Sequence, residues 1–186
     1  MPGNPALREV LQLECFDDDL FRLTRLLSHP SGAQSRLHVD GADPAALLAR
    51  FTADLDGEGA VVSFTGHARG AAKDGGVVQV LVLESYRGVT LASMRAIAGE
   101  AHARFAITRS LVVHRAGRIL PGEAIVYVAT ASAHRRAAFE AADYLMDRLK
   151  TEAVFWKREE GPDGHRWIEP TEGDRADLSR WTAKQD

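Results

Sequence analysis

The segment from residue 124 to residue 158 reads AIVYVATASAHRRAAFEAADYLMDRLKTEAVFWKR and changes its periodicity twice. It opens on β-branched and aromatic residues, a composition typical of a strand. Apolar residues then recur at helical spacing from Ser132, the expected N-cap, to Lys150, with a stripe through Ala138, Ala142, Leu145 and Leu149. The residues from Glu152 to Arg158 again resemble a strand. This one segment therefore predicts a strand, a helix and a second strand in succession.

The sequence before this segment predicts further strands and a helix. The stretch RLHV, residues 36–39, favours a strand, and DPAALLARF favours a helix with Asp43 as its N-cap and Pro44 at its first position. Residues 59–66, GAVVSFTG, are typical of a buried strand, and residues 77–85 of a second strand. We expect these two strands to form a hairpin with a long cationic tip.

The central and C-terminal parts of the chain continue the mixture of elements. Residues 89–105 predict a helix whose apolar stripe packs on a sheet. Residues 107–115 predict a strand that pairs with residues 123–131 across the turn GRILPGE. Residues 165–170, HRWIEP, are the expected hairpin partner of the strand that follows Lys150. Strands and helices in this order predict an α+β fold.

The organisation of the chain divides into three parts. Residues 1–35 are expected to form an N-terminal extension of short helices, with SGAQS at 31–35 as a linker. Residues 36–170 are expected to form the main domain. Residues 171–186 form a charged C-terminal tail that we expect to fray. The 186 residues, 45% of them hydrophobic, suit one domain with a full core.

Composition excludes several classes of protein. The chain has 23 basic and 26 acidic residues, and a net charge of -3 favours neither nucleic acid nor an anionic membrane. No apolar run reaches the ~20 residues of a membrane span, and the first residues lack the pattern of a secretory signal. Cys15 is the only cysteine, which excludes an intramolecular disulfide and a cysteine cluster for zinc. The reducing cytoplasm fits this composition best.

Two lysines flank an apolar run at the end of the predicted helix. Lys150 and Lys157 stand on either side of Phe155 and Trp156. On one continuous helix, seven residues would place both amines on one face about two turns apart. If the helix instead ends near Lys150, the two amines would reach one pocket from a helix and a strand. A desolvated lysine near other cations loses its proton readily and serves as a nucleophile or base.

Other cations cluster at two further places, a loop with His67 and Arg69 and a helix start with His134, Arg135 and Arg136. A helix N-terminus already favours anions, so basic side chains there indicate a phosphate site. Taken singly, each residue has a simpler explanation, because loop arginines are usually solvated and helix arginines usually make weak surface pairs. The sequence shows neither a metal-ligand spacing, nor a Gly-Lys-Ser/Thr phosphate loop, nor a G-x-S-x-G elbow.

Four motifs in order resemble those of one family, the catalytic (large) subunit of molybdopterin synthase. They are GAVVSFTGHARG, LVLESYRGVT, the long stretch from VVHRAGRILPGE through AHRRAAFEA to KTEAVFWKREE, and GHRWIE, and they cover residues 36 to 170. The resemblance implies an α/β hammerhead-like fold with an additional antiparallel β subdomain. It also implies a sulfur transferase that converts cyclic pyranopterin monophosphate to the dithiolene molybdopterin without a metal or redox cofactor.

The resemblance further implies partners. The sulfur arrives as the C-terminal thiocarboxylate of a small ubiquitin-like subunit that ends in Gly-Gly. Two large subunits form a central homodimer with one small subunit at each end, which makes a heterotetramer. The competing hypothesis is a non-catalytic paralogue that binds a ubiquitin-like tail or a phosphorylated ligand.

Residue by residue, the resemblance implies that Lys150 and Lys157 are catalytic. The implied substrate contacts are His67, Ala68, Arg69, His134, Arg135, Lys150, Lys157, Arg158 and Glu159. The loop departs from the family pattern, because His67 stands where a lysine is common and Arg69-Gly70-Ala71 where Arg-Asn-His is common. This departure favours weaker or different substrate binding by the loop.

Overall fold

The computed structural model describes residues 32–38, 41–86 and 88–182. The helices expected before residue 32, and Cys15, lie outside the described residues. The described strands are β1 (Ala33–His38), β2 (Ala60–His67), β3 (Val80–Ser85), β4 (Arg109–Arg115), β5 (Gly117–Ile119), β6 (Ala124–Ser132), β7 (Phe155–Gly161) and β8 (Gly164–Ile168). The described helices are α1 (Pro44–Thr52), α2 (Val89–Arg104), α3 (Arg135–Thr151) and α4 (Glu172–Thr182).

The strands form two four-stranded sheets. The first has the order β1-β4-β6-β2, in which β1 runs parallel to β4 and the other pairs are antiparallel. The second has the order β5-β3-β7-β8 and is antiparallel throughout. Helices α2 and α3 cover the first sheet and share a core cluster with it. The predicted α+β class is confirmed, and the second sheet is a separate antiparallel layer.

Local sequence explains where α1 begins but not where α3 begins. Asp43 caps α1 as expected, since its carboxylate accepts a hydrogen bond from the Ala45 N–H at 2.9 Å, and Pro44 is the first helical residue. The N-cap of α3 is His134 and not Ser132. Ser132 is the last residue of β6, and its hydroxyl donates to the Ala106 carbonyl at 2.7 Å. The expected buried stripe of α3 is confirmed.

Three predictions about strands are wrong. Strand β2 does not form a hairpin with β3, because it pairs with β6 in the first sheet while β3 pairs with β5 and β7 in the second. As an edge strand, β2 is only partly buried, and its Phe64 is 43% exposed. The expected linker at 31–35 instead contributes its last three residues to β1. The expected turn at 117–123 contains the short strand β5.

The expected fraying tail is also wrong, since residues 172–182 form α4 on the surface of α3. Trp181 near its end is 8% exposed and packs edge-on against Phe105 and Tyr144, with ring centroids 5.8 and 5.4 Å away. The Trp181 indole N–H also donates to Asp147 of α3 at 2.7 Å. A charged sequence is therefore held in place by one large apolar anchor.

Candidate active site

The two lysines that flank the apolar run belong to different elements. Helix α3 ends at Thr151, so Lys150 lies in its last turn, whereas Lys157 lies in β7. The Lys150 amine is 2.7 Å from Asp174 Oδ1 in α4. The charges of Lys150 and Asp174 both act on the pKa of Lys157. The two amines are therefore near each other, one from a helix and one from a strand, and they are not on one continuous helix.

Phe155 lies at the junction between the two sheets. Its side chain packs against the core of the first sheet and against the core of the second. The ring of His114, from β4, stacks on it with centroids 4.2 Å apart. Because Lys157 follows Phe155 by two residues in the same strand, both side chains are on the same face of the second sheet. The lysines therefore lie beside the junction of the sheets.

Lys157 has the electrostatic environment of a reactive amine. Burial lowers its pKa below the ordinary value, and the neighbouring positive charge of Lys150 lowers it further, while Asp174 acts to raise it. The amine is half-buried, in contrast to Lys150, whose side chain is 55% exposed. A lysine with a lowered pKa exchanges its proton more readily near neutral pH, so Lys157 suits acid–base work.

His114 is a buried histidine beside the same site. Burial is the main reason that its pKa is lowered to about 4, and the charge of Lys157 lowers it too, while a hydrogen bond to the Arg115 carbonyl opposes the shift. The imidazole is therefore neutral at physiological pH. Since Nδ1 lies 2.9 Å from the Arg115 carbonyl oxygen, Nδ1 carries the proton and Nε2 is the acceptor.

The loop that follows β2 is attached to a core cluster that Phe155 also contacts. His67 Nδ1 lies 2.8 Å from the Gly122 carbonyl oxygen, and Ala68 is buried in the cluster against which Phe155 packs. His67 and Arg69 are exposed. Ala68 therefore fixes the loop to the core through packing, and its neighbours remain accessible to a ligand.

Arg158 and Glu159 follow Lys157 but differ in the faces that they occupy. Arg158 lies on the opposite face of the second sheet, where its guanidinium is 5.4 Å from the Trp167 ring centroid. Glu159 shares the face of Lys157, and its carboxylate is 2.6 Å from Arg166. Within one chain, Glu159 is therefore on the side of the lysines and Arg158 is not.

His134 and Arg135 are at the far end of α3. Fifteen residues separate Arg135 from Lys150, which corresponds to about 22 Å along the helix axis. Both residues are exposed, and the neighbouring Arg136 makes the surface pair expected of it, 3.8 Å from Glu140. One chain therefore does not bring this cationic helix start to the lysines.

Two residues of the site have no counterpart among the residues predicted from sequence. Asp174 lies in the stretch expected to fray, although Thr171 and Asp174 have the spacing of a capping box, which marks a helix start. His114 is not among the expected site residues. The signal for it is a polar pair, His114 and Arg115, at the end of an otherwise apolar strand.

The described ranges hold neither a metal-ligand cluster nor a membrane-spanning helix. Among residues 32–38, 41–86 and 88–182, no three His, Cys, Asp or Glu side chains are grouped so as to hold a metal ion. Within the same part of the chain, no helix has the length and apolar character required to span a membrane.

Comparison with known proteins identifies the family. The model of the MoaE protein family matches residues 38–152. The molybdopterin synthase catalytic subunit of Caulobacter vibrioides is 53% identical over 139 residues, which are 75% of this chain and 91% of the relative. That of Escherichia coli K12 is 46% identical over 131 residues, 70% of this chain and 87% of the relative.

A solved structure gives the same result. The molybdopterin biosynthesis MoaE protein of Burkholderia ambifaria superposes with a TM-score of 0.68 at 40% identity, covering 82% of this chain and 99% of that one. The residues matched by the family model include Lys150 in the last turn of α3, and the sequence and structure comparisons each cover most of the chain. The chain therefore belongs to the MoaE protein family.

Proposed function

We propose that the chain is the catalytic subunit of a molybdopterin synthase, which transfers sulfur from a carrier protein's thiocarboxylate to cyclic pyranopterin monophosphate. The observation that carries this proposal is the ion pair between Lys150 and Asp174, whose charges both act on the more buried amine of Lys157 beside the junction of the sheets. Relatives at 53% and 46% identity bear the name of this subunit. A paralogue that only binds a ligand would not require two coupled amines at one site.

The reaction requires positive charge at two points. The thiocarboxylate sulfur uses an electron pair to form a carbon–sulfur bond to a side-chain carbon of the pterin. A carbon–oxygen bond at that carbon breaks, and the oxygen leaves as water or as the freed ester oxygen of the phosphate, where a cation or a donated proton stabilises its negative charge. Water then adds to the carrier's carbonyl carbon, the bond from that carbon to sulfur breaks, and the carrier leaves as a carboxylate. Negative charge develops on the carbonyl oxygen in this second step, where a fixed ammonium group stabilises it. Each carrier delivers one sulfur, so a dithiolene needs two deliveries.

The environments of the two lysines favour different roles. Lys150 is paired with a carboxylate, which suits an ammonium group that stabilises charge on the carbonyl oxygen. Lys157 is more buried, and its lowered pKa suits transfer of a proton at the pterin or at the attacking water. In other enzymes, too, different surroundings give two residues of one type different pKa values and different roles.

The substrate phosphate is the natural ligand of the remaining cations. Arg69 is exposed in the loop after β2, and His134 and Arg135 are exposed at a helix start that carries no acidic residue in its first turn. Because about 22 Å of helix separates Arg135 from Lys150, we assign His134 and Arg135 to the site of a second copy. A homodimer with one carrier at each end, a heterotetramer, satisfies this geometry.

The small carrier is expected to present its Gly-Gly terminus to the lysines as an extended chain, because residues without side chains enter a narrow channel. We place the reaction in the cytoplasm, in keeping with a composition that contains one cysteine.

Mass spectrometry of the pterin tests the proposal. The full chain is mixed with a thiocarboxylated small subunit and cyclic pyranopterin monophosphate, and product is expected to contain two additional sulfur atoms. A matched reaction uses the carrier with an ordinary carboxylate terminus, which has no sulfur to transfer. Formation of a stable complex without any sulfur-containing pterin would instead support the non-catalytic paralogue.

A further inference from the structure

Asp174 is held from both of its oxygens. Oδ1 accepts a hydrogen bond from the Lys150 amine at 2.7 Å. Oδ2 accepts bonds from the Thr171 N–H at 2.9 Å and from the Thr171 hydroxyl at 2.8 Å. The Thr171 hydroxyl in turn accepts a bond from the Asp174 N–H at 3.3 Å, which completes a capping box at the start of α4. The carboxylate therefore has a defined position.

Helix α4 is pinned to α3 at both ends. Near its start, Asp174 contacts Lys150. Near its end, Arg180 and Trp181 both donate to Asp147 Oδ2, at 2.6 and 2.7 Å. Asp147 and Lys150 are three residues apart and so lie on neighbouring positions of one helix face. Two attachments within one turn of α3 restrict movement of Asp174 relative to Lys150.

The charge of Asp174 acts on both lysines. It pairs directly with Lys150, and it opposes the lowering of the Lys157 pKa that burial and Lys150 produce. Partial burial acts to raise the pKa of Asp174 itself, but the bonds from Lys150 and Thr171 hold it well below the usual range. The group is therefore ionised wherever the enzyme would work, with one negative charge beside two amines.

We propose that Asp174 is a positioning residue, whose carboxylate fixes the Lys150 ammonium group and supplies the counter-charge that the two lysines share. This inference rests on the proposed function, because it assigns Asp174 a task in the same sulfur transfer. The carrier's thiocarboxylate is itself an anion. Because Asp174 holds the Lys150 ammonium group in a fixed starting position, that group is ready to meet this anion.

Asp174→Asn tests the role of the charge, since it keeps the size of the side chain and removes its negative charge. We expect kcat for sulfur transfer to fall by about ten- to a hundred-fold, the usual effect of losing a charge-assisted hydrogen bond. The KM for the carrier is expected to stay within about threefold, because the carboxylate orients the amine and does not contact the carrier.

A second measurement distinguishes the loss of the Asp174 charge from a detachment of α4. Pulse acetylation of the full-length protein with acetic anhydride over a series of pH values, followed by mass spectrometry of the Lys157 peptide, gives the midpoint at which that amine loses its proton. Loss of the counter-charge moves this midpoint to lower pH. Detachment of α4 would admit water to Lys157 and move it to higher pH, which would overturn the proposal.

Thr171→Ala is the matched control, because it weakens the same helix start but leaves the Asp174 charge. We expect it to keep kcat within about threefold of the wild type and to leave the Lys157 midpoint in place. An equal loss of kcat in Thr171→Ala and Asp174→Asn would overturn the proposal, as would an Asp174→Asn variant with wild-type kcat. Absence of product from the wild-type protein would overturn the proposed function itself, and with it the positioning role.

Discussion

The imidazole of His114 stacks on the ring of Phe155, with centroids 4.2 Å apart and an angle of 26° between the planes. This contact is part of the packing between the two sheets, because Phe155 packs against both cores. A charged imidazole would be unfavourable in this buried contact, so the packing between the sheets requires a neutral histidine. Protonation of His114 is therefore expected to affect the stability of the fold as well as the site.

Acid is expected to weaken the fold through His114. Its folded pKa of about 4 lies below the ordinary value of 6.5, so the unfolded chain binds this proton more readily. The stabilisation is complete above pH ~6.5 and is lost as the pH falls toward 4, by about 3 kcal/mol in all. Denaturant unfolding at pH 7 and pH 4 measures it.

The comparison for that measurement is His114→Phe, which retains an aromatic ring on Phe155 without a titrating group. Its free energy of unfolding should fall less between pH 7 and pH 4 than that of the wild type, by the same ~3 kcal/mol. If both proteins lost the same free energy of unfolding between pH 7 and pH 4, a group other than His114 would be responsible for the loss.

Lys150→Ala should abolish sulfur transfer and leave the fold and carrier binding nearly intact. A lysine in the last turn of a helix contributes only ~0.3–1 kcal/mol to stability. Lys150→Arg should fail as well, since a guanidinium group keeps its proton and holds its nitrogens in another geometry. Pterin mass spectrometry measures product, and Lys73→Ala in the exposed loop is the control. Near-normal yield from Lys150→Ala would contradict the assignment.

Arg135→Ala is expected to raise the KM for the pterin precursor by about ten- to a hundred-fold, because a phosphate contact far from the reacting carbons affects binding more than the chemical step. If the arginine serves the partner copy's site, Lys150→Ala and Arg135→Ala should complement each other. Mixed dimers contain one intact site, so random exchange should restore about a quarter of wild-type activity. No recovery after verified exchange would mean that each chain builds its own site.

Extending the carrier's C-terminus by one residue beyond Gly-Gly should remove activity. A channel that admits only backbone excludes a further side chain, and the thiocarboxylate would no longer end at the lysines. Product formation with wild-type and extended carriers measures this effect. Full activity with the extended carrier would argue against a narrow, buried path.

Trp181→Ala should lower the free energy of unfolding by about 3 kcal/mol or more, since it removes a buried indole from the Phe105 and Tyr144 rings. Trp156→Ala, which removes a tryptophan that is 53% exposed, should cost less than ~1 kcal/mol. Thermal or denaturant unfolding compares the two variants. Equal small losses would indicate that α4 adds little to the fold.

The helices were largely predictable from the sequence because their signals are local. The Asp43-Pro44 start of α1 and the buried stripe of α3 each depend on residues a few positions apart. Strand partners were not predictable in the same way. Residues 59–66 and 77–85 are both apolar and adjacent in sequence, yet they belong to different sheets, since pairing is decided by the packing of the whole domain.

The candidate site was predictable to a similar extent. The sequence allowed Lys150 and Lys157 to share one helix face or to come from a helix and a strand, and the structure has the second arrangement, with Lys150 paired to Asp174. Asp174 itself escaped prediction because α4 is too polar to indicate a docked helix, and short helices depend on tertiary contacts. The distance from Arg135 to Lys150 follows from helix length and was implicit in the predicted helix.

The attachment of Trp181 and Arg180 to Asp147 has a practical consequence for handling this protein. Asp147 lies one turn before Lys150, so the same short stretch of α3 carries the anchor of the last described helix and the amine that we propose takes part in sulfur transfer. A chain shortened to residue 179 would lose both donors and leave a buried carboxylate unsatisfied. Expression vectors that trim this region to aid crystallisation would therefore alter the enzyme itself.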